Sequence, residues 1–549
     1  MGWSTGNNMK KTSVILILTI FSLNLLTAQQ TISEIEKLAS IGKIYGFLKY
    51  YHPEVGKGIY NWDDEFIKYL PKVLKAADKN DLSAIYIDWI NNLGNIDVCK
   101  KCSSEKNYFD KNFDLSWLQN ENLFNDKLSS KLKFIENNRI QKENFYVEIQ
   151  PVGNIKVTNE PQYKNFEFPN EEYRLLGLFK YWNIIEYFYP YKYMTDQNWD
   201  SVLRQMIPKI KNAKNQSDYQ NKIKELVAKL DDTHAWISFS DERPMYLPAK
   251  ISHIENKAVV SGFYNDSIAN LNNLQIGDII LKINDLDVRT EKDKNLKYVA
   301  GSNKNIKTKN TYTKIFSGSE KEINLTIDRQ GEVKKIKVNR YDFNDFNYWD
   351  NSKAIKSKLV TDEVGYINMA SVKGRDIEDI FKSFDTKKSI IIDLRNYPAF
   401  IYYRFSRYLN TEKKDFSKIY SPNINYPSRF SYTDNLRTNS SKKAFKGRII
   451  LLVNEESLSR SEFTAMAFQT ADNIITVGNQ TAGADGDVVV FEYLGGYRTA
   501  ISGNGILYPD GSETQRNGIR IDVEVKSTIN GLINGRDEVL EKAIELASE

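Results

Sequence analysis

Apolar residues recur at helical spacing twice in the first half of the chain, and the two stretches are copies of one another. Ile44, Phe47 and Leu48 mark the first; Trp182, Ile185 and Tyr189 mark the second. That is the spacing of helices with a buried face. Three strings recur with them. Tyr50-Tyr51-His52-Pro53, Asn61-Trp62-Asp63 and Leu70-Pro71-Lys72-Val73 return as Tyr187-Phe188-Tyr189-Pro190, Asn198-Trp199-Asp200 and Ile207-Pro208-Lys209-Ile210, each 137 positions on and without a gap. A gapless repeat predicts two related helical units with aromatics packed between helices. We place them at 29–165 and 166–246.

The copies differ where chemistry could lie. The second ends in Asp231-Asp232-Thr233-His234-Ala235-Trp236, and Asp97 holds the corresponding position to His234 in the first. His52 matches Tyr189, which predicts a packing role for His52. One copy therefore carries a histidine that the other lacks.

From 247 to 343 the pattern shortens to strands at Ala258–Val260, Ile279–Ile283, Ile323–Ile327 and Val333–Val338. Gly277-Asp278 marks a tight turn before a buried strand. The segment Leu274-Gln275-Ile276-Gly277-Asp278-Ile279-Ile280-Leu281-Lys282-Ile283-Asn284 resembles a PDZ domain, which implies capture of a peptide's C-terminus by strand addition. After a linker rich in Tyr, Asp and Asn, residues 352–549 alternate strands (Val364–Ile367, Ser389–Leu394, Arg448–Val453, Ile474–Val477) with helical stretches. That alternation predicts a layered α/β domain.

Within it, the apolar run Ile449–Val453 leads into Ser457-Leu458-Ser459-Arg460-Ser461-Glu462, and a helix is expected over Thr464–Gln469. A serine at a strand-to-helix turn can expose its hydroxyl beside the helix's first N–H groups. The same string fits the capping box S-x-x-E, which by itself asks only for a helix cap.

A length of 549 residues implies about three to four domains. The charge of +5 is spread along the chain with no basic block, which excludes a nucleic-acid footprint. Lys10 and Lys11 precede the apolar run Val14–Leu26 and Leu26-Thr27-Ala28-Gln29, the pattern of a secretory signal over 1–28. Met9 reads as the natural start, with no cysteine after the cleavage point to carry a lipid. Export implies a periplasmic or extracellular protein with no membrane span left after cleavage. In that compartment Cys99 and Cys102, in C-x-x-C spacing, predict a local structural disulfide, with a redox pair as the alternative. A zinc site would need two further ligands that the three histidines do not evidently supply.

Four catalytic-domain strings, in this order, resemble the tail-specific or C-terminal-processing serine peptidases: Ile391-Ile392-Asp393-Leu394-Arg395-Asn396, the serine turn into Glu462, Val477-Gly478-Asn479-Gln480-Thr481-Ala482-Gly483, and Gly518-Ile519-Arg520-Ile521-Asp522. The PDZ-like segment precedes them, as in that family. The resemblance implies an α/β multidomain protein with a crotonase-like (ClpP-like) catalytic domain, a polypeptide substrate, no metal and no organic cofactor. It places the nucleophile at Ser459. The family's lysine base would fall 25 residues later, at Ala484, which accepts no proton. The tricorn-like branch of the family uses a histidine base after a hydroxyl residue instead, and Thr233-His234 fits that pattern. Gln515 or Glu513 is then expected to orient the imidazole. Arg460 N–H, with Ala399 or Tyr397 N–H, is expected to hold the oxyanion, since Pro398 has none.

Two rivals follow from the departures. The loop Asn396–Phe400 lacks the glycines usual there, and with the missing lysine this admits an inactive homologue that binds peptide C-termini through its PDZ-like domain. The 33 Tyr, 27 Phe and 8 Trp also admit a carbohydrate-binding surface, although these aromatics follow helical repeat positions.

Overall fold

The computed structural model describes residues 1–2, 31–100, 102, 107–141, 143–164, 166–239, 243–346 and 355–549. From residue 3 onward the expected leader lies outside them. Among the described residues no helix is long and apolar enough to cross a membrane.

The two helical units follow one plan. α1 (Glu34–Tyr51), α2 (Trp62–Lys75) and α3 (Lys79–Asn91) correspond to α4 (Glu171–Phe188), α5 (Trp199–Lys211) and α6 (Gln216–Ala228). Their starts move from 34 to 171, 62 to 199 and 79 to 216, the 137-residue offset each time. Equivalent indoles make equivalent bonds: Trp62 Nε1 donates to Tyr45 O at 3.0 Å and Trp199 Nε1 to Trp182 O at 3.1 Å. Side-chain oxygens of Ser33, Asp78, Asn170 and Asn215 cap α1, α3, α4 and α6, satisfying N–H groups that a helix start leaves unpaired. α1 and α4 are buried nearly all round because they pack on each other. They approach so closely that Asn183 Nδ2 reaches Gly42 O at 2.9 Å, and a Cβ on Gly46 would overlap the Asn183 side chain.

His52 is fully buried, and its Nδ1 accepts from Glu54 N–H at 3.2 Å. Burial pushes its pKa down to about 4. Cys99 and Cys102 are joined by a disulfide.

After α6 the chain turns through Asp231–Ala235 into β1 (Trp236–Ser238). Next comes an antiparallel sheet of β2 (Ala249–Ile254), β3 (Lys257–Phe263), β4 (Ile279–Ile283), β5 (Glu322–Arg329) and β6 (Glu332–Asn339), in the order β6-β5-β4-β3-β2. A helix at Lys304–Phe316, α7, lies beside the edge strand β2, with Tyr312 OH 3.0 Å from His253 Nδ1. The Ala249–Ile254 strand and α7 were not marked by the sequence pattern.

The C-terminal unit runs β7 (Ser357–Thr361), β8 (Val364–Asn368), β9 (Ser389–Asp393), β10 (Arg448–Val453), α8 (Arg460–Phe468), β11 (Ile474–Gly478), β12 (Val488–Tyr493), β13 (Tyr497–Ser502), β14 (Val523–Glu524) and α9 (Glu538–Ser548). Its main sheet has the order β7-β8-β9-β10-β11-β14, parallel from β8 onward. Parallel strands are covered on both faces, which is why β9 and β10 read as unbroken apolar runs. Ile391, Ile450 and Leu452 pack under α9, whereas Ile390, Ile392, Leu451 and Val453 pack with Ala465 to Phe468 of α8. The protein is thus a mixed α/β multidomain fold.

Candidate active site

β12, β13 and β1 form a separate small sheet in which Trp236 of β1 pairs with Ala500 of β13. This pairing joins the helical units to the C-terminal unit. It also sets the residue before Ala235 beside the end of β13.

That residue is His234, 8% exposed. Its Nδ1 lies 3.0 Å from Ser502 Oγ, and Ser502 Oγ donates to Asp232 Oδ1 at 3.1 Å. Asp232 is fully buried and also accepts from the N–H groups of His234 (3.0 Å) and Ser502 (2.9 Å). Because the Ser502 proton goes to the carboxylate, Ser502 must accept from Nδ1–H. The imidazole lone pair is then left at Nε2, which has no hydrogen-bond partner among the described residues. Burial lowers the His234 pKa below its usual 6.5, with the charges of Asp232 and Asp487 acting against that shift. The ring is therefore neutral at neutral pH, as a general base requires.

Thr233 latches this loop in place. Its N–H and hydroxyl lie 2.8 and 3.0 Å from Ser302 Oγ, Ser302 N–H donates to Thr233 Oγ1 at 3.0 Å, and Oγ1 is 3.4 Å from Ala482 O. Asn303 Nδ2 donates to Thr481 O (2.9 Å) and Ala482 O (3.2 Å). The loop 481–484 in turn reaches the serine turn, since Ser459 N–H donates to Ala484 O at 3.0 Å.

The three serines of that turn are sorted by their partners. Ser457 and Ser461 are fully buried, and both hydroxyls donate to Leu394 O at 2.7 Å. Ser459 is half-buried and sits at the N-cap of α8 with φ 55° and ψ −113°. A non-glycine residue at positive φ costs on the order of 1–3 kcal/mol. This is a strained strand-to-helix turn of the kind a nucleophile elbow uses, reached without a G-x-S-x-G string.

Glu462, fully buried, holds the turn together. Its carboxylate accepts from Ser459 N–H (3.2 Å), Gly483 N–H (2.8 Å), Ala484 N–H (3.1 Å) and the Thr481 hydroxyl. Burial raises its pKa against the pull of those four donors. Nearby Asp485 is also buried and is pushed well above the carboxylate range by burial and by Glu462.

Over the first turn of α8 lies the loop after β9. The Arg460 guanidinium sits 5.0 Å from the Tyr397 ring and 5.6 Å from that of Phe400, and its Nη1 reaches Pro398 O at 3.4 Å. Among the described residues, the backbone N–H groups of Arg460, Tyr397 and Ala399 donate to no acceptor. Those three donors are free to hold a developing negative charge.

Neither residue expected to orient the imidazole bonds to it. Gln515 Nε2 lies 3.3 Å from Asp232 Oδ1 and 3.4 Å from Ser302 Oγ, behind the carboxylate. Glu513 Oε1 accepts from Lys111 Nζ (2.9 Å) and Tyr193 OH (2.5 Å), so its charge is already neutralised elsewhere. The imidazole bonds to Ser502 instead, with Asp232 behind that hydroxyl. Asp232 lies two residues before His234 and was open to inspection; Ser502 carries no local signal.

Residues 363–525 match the model of Peptidase family S41. That span includes Ser459, Arg460, the loop 396–400 and Ser502, and supports a serine-type peptidase. His234 and Asp232 lie before it. No curated protein matches the chain. Among solved structures, mature CPAF complexed with lactacystin has a TM-score of 0.56 at 12% identity, covering 69% of this chain and 98% of that one. Mature CPAF gives 0.55 at 13%, covering 68% and 97%. The tricorn protease is a slighter likeness, with a TM-score of 0.35 at 13% identity over 75% and 42%. At these identities the two CPAF structures show a shared fold. Among the described residues, no group of three or more His, Cys, Asp or Glu side chains could hold a metal ion.

Proposed function

We propose that the protein is an exported serine endopeptidase in which Ser459 is the nucleophile and His234 the base, as in the tricorn-like branch of its family. The observation that carries this reading is the His234 imidazole, whose Nδ1 is held by Ser502 backed by Asp232, on a loop that bonds to the same segment 481–484 as the strained, half-buried Ser459. Ser459 Oγ attacks the peptide carbonyl and passes its proton to His234 Nε2. The N–H of Arg460 and that of Tyr397 or Ala399 hold the oxyanion. His234 then protonates the leaving amine, and water repeats the sequence on the acyl-enzyme.

In this structure no hydrogen bond joins His234 to Ser459; such contacts commonly tighten only when substrate binds. The loops bearing the two residues both bond to the segment 482–484, through Ala482 and Ala484. The sheet β6-β5-β4-β3-β2, with its free edge β2 beside α7, supports a PDZ-like reading, and the β8–β14 sheet between α8 and α9 supports a crotonase-like one. The leader pattern and the disulfide support export to the periplasm or beyond.

The test is incubation of mature protein with an unfolded polypeptide beside Ser459→Ala, read by mass spectrometry. Cleavage by wild type alone is expected. Equal peptide binding with no cleavage by either would instead favour the non-catalytic binding homologue.

A further inference from the structure

Behind the His234 loop opens a cleft of about 640 Å³ that the catalytic scheme does not use. It lies where the second helical unit, the β2–β6 unit and the C-terminal unit meet. Its wall carries five cations, Lys292, Lys297, Lys304, Lys307 and Arg516, against the three carboxylates of Asp196, Asp231 and Asp293. Each carboxylate is already paired: Lys292 with Asp293 (3.1 Å), Lys307 with Asp231 (3.3 Å) and Arg516 with Asp196 (2.7 Å). Lys297 and Lys304 are exposed and, among the described residues, have no ion-pair partner. The cleft therefore holds two uncompensated positive charges.

We propose that this cleft is an exosite for the side-chain carboxylates of an acidic polypeptide segment. Its volume falls within the range of ligand sites, about 300–1,000 Å³, and far exceeds what one small anion fills. Its place fits a segment of the same chain that is being cut. The cleft shares Asp231 with the His234 loop, and it shares Asn303 with the latch on Thr481 and Ala482. A polypeptide lying there thus borders the loop that carries His234 and the residue that latches the segment 481–482. A carboxylate entering the cleft meets Lys297 and Lys304 without breaking an existing pair, which makes binding favourable and salt-sensitive.

The source of the ligand rests on the peptidase reading; the charge preference of the cleft does not. The experiment therefore uses full-length Ser459→Ala, which binds without cutting, so failure of cleavage by wild type leaves its result standing. Fluorescence anisotropy is measured with a labelled peptide containing six consecutive glutamates, acetylated and C-terminally amidated, and with its glutamine counterpart. The acidic peptide is expected to bind at least tenfold more tightly at low salt. Adding Lys297→Glu and Lys304→Glu should abolish that preference, whereas Lys297→Arg with Lys304→Arg should keep it. A distant pair of equal charge change, Lys335→Glu with Lys337→Glu, should also keep it. The proposal is overturned by equal affinity for the two peptides or by equal loss in the cleft and distant variants. It is also overturned if the amidated acidic peptide fails to bind while the same peptide made with a free C-terminus binds, since that is chain-end capture.

Discussion

Ser502 and His234 are 268 residues apart in the chain, yet Ser502 Oγ lies 3.0 Å from His234 Nδ1. The contact exists because β1, directly after the histidine loop, pairs with β13, which ends in Ser502. It fixes the ring's tautomer through a hydroxyl, with the charge of Asp232 one step further back.

A relay of this kind predicts graded losses. Asp232→Asn should lower kcat by about 10³-fold, less than the roughly 10⁴-fold seen where the acid touches the imidazole directly. Ser502→Ala should cost about 10–100-fold, because water can take the place of the hydroxyl. Glu513→Gln should stay within about threefold, since Glu513 faces Lys111 and Tyr193. Steady-state kinetics on the three variants checks the order, and a loss in Glu513→Gln as large as in Asp232→Asn would refute it.

Activity should rise with pH and level off before neutrality. In the proposed mechanism the neutral imidazole is the active form, and burial places its pKa below 6.5. The acid limb of kcat/KM should therefore have its midpoint below pH 6.5. The Asp232 charge raises that pKa, so the midpoint should move lower still in Asp232→Asn. A midpoint above 7 in wild type would contradict the assignment.

Glu462 is expected to matter for stability as well as turnover. Glu462→Ala leaves three buried donors, the Thr481 hydroxyl and the N–H groups of Gly483 and Ala484, without their acceptor, each such group costing roughly 1–3 kcal/mol before relaxation. Denaturant unfolding should show a loss of at least about 3 kcal/mol, and cleavage should fall because the Ser459 turn loosens. Unchanged stability would mean that the carboxylate does not hold the turn.

The other buried histidine predicts sensitivity to acid. His52 has a pKa of about 4 in the fold against about 6.5 when unfolded. The unfolded chain then binds the extra proton between those values, so the contribution is present above pH 6.5 and lost as pH falls towards 4. The shift corresponds to about 3 kcal/mol. Thermal unfolding at pH 7 and pH 4.5 should show a smaller difference in Tm for His52→Asn than for wild type.

The helical repeat, the main parallel strands and the serine turn were legible in the sequence because each leaves a local trace: gapless spacing, unbroken apolar runs, serines at a strand-to-helix turn. The choice among three serines was not a local matter. It depends on Leu394, whose carbonyl takes the hydroxyls of Ser457 and Ser461. The partner of His234 was illegible for the same reason, since strand pairing across the chain brings Ser502 to it. The edge strand Ala249–Ile254 was hidden because its middle residues are only half-buried, which weakens the alternation that marks a strand.

The most direct test of the central claim is peptide-resolved mass spectrometry after reaction with diisopropyl fluorophosphate, which phosphorylates activated serines. One adduct, on Ser459, is expected, absent in Ser459→Ala and formed at least about 10²-fold more slowly in His234→Ala. An adduct on another serine, or an undiminished rate in His234→Ala, would contradict the account.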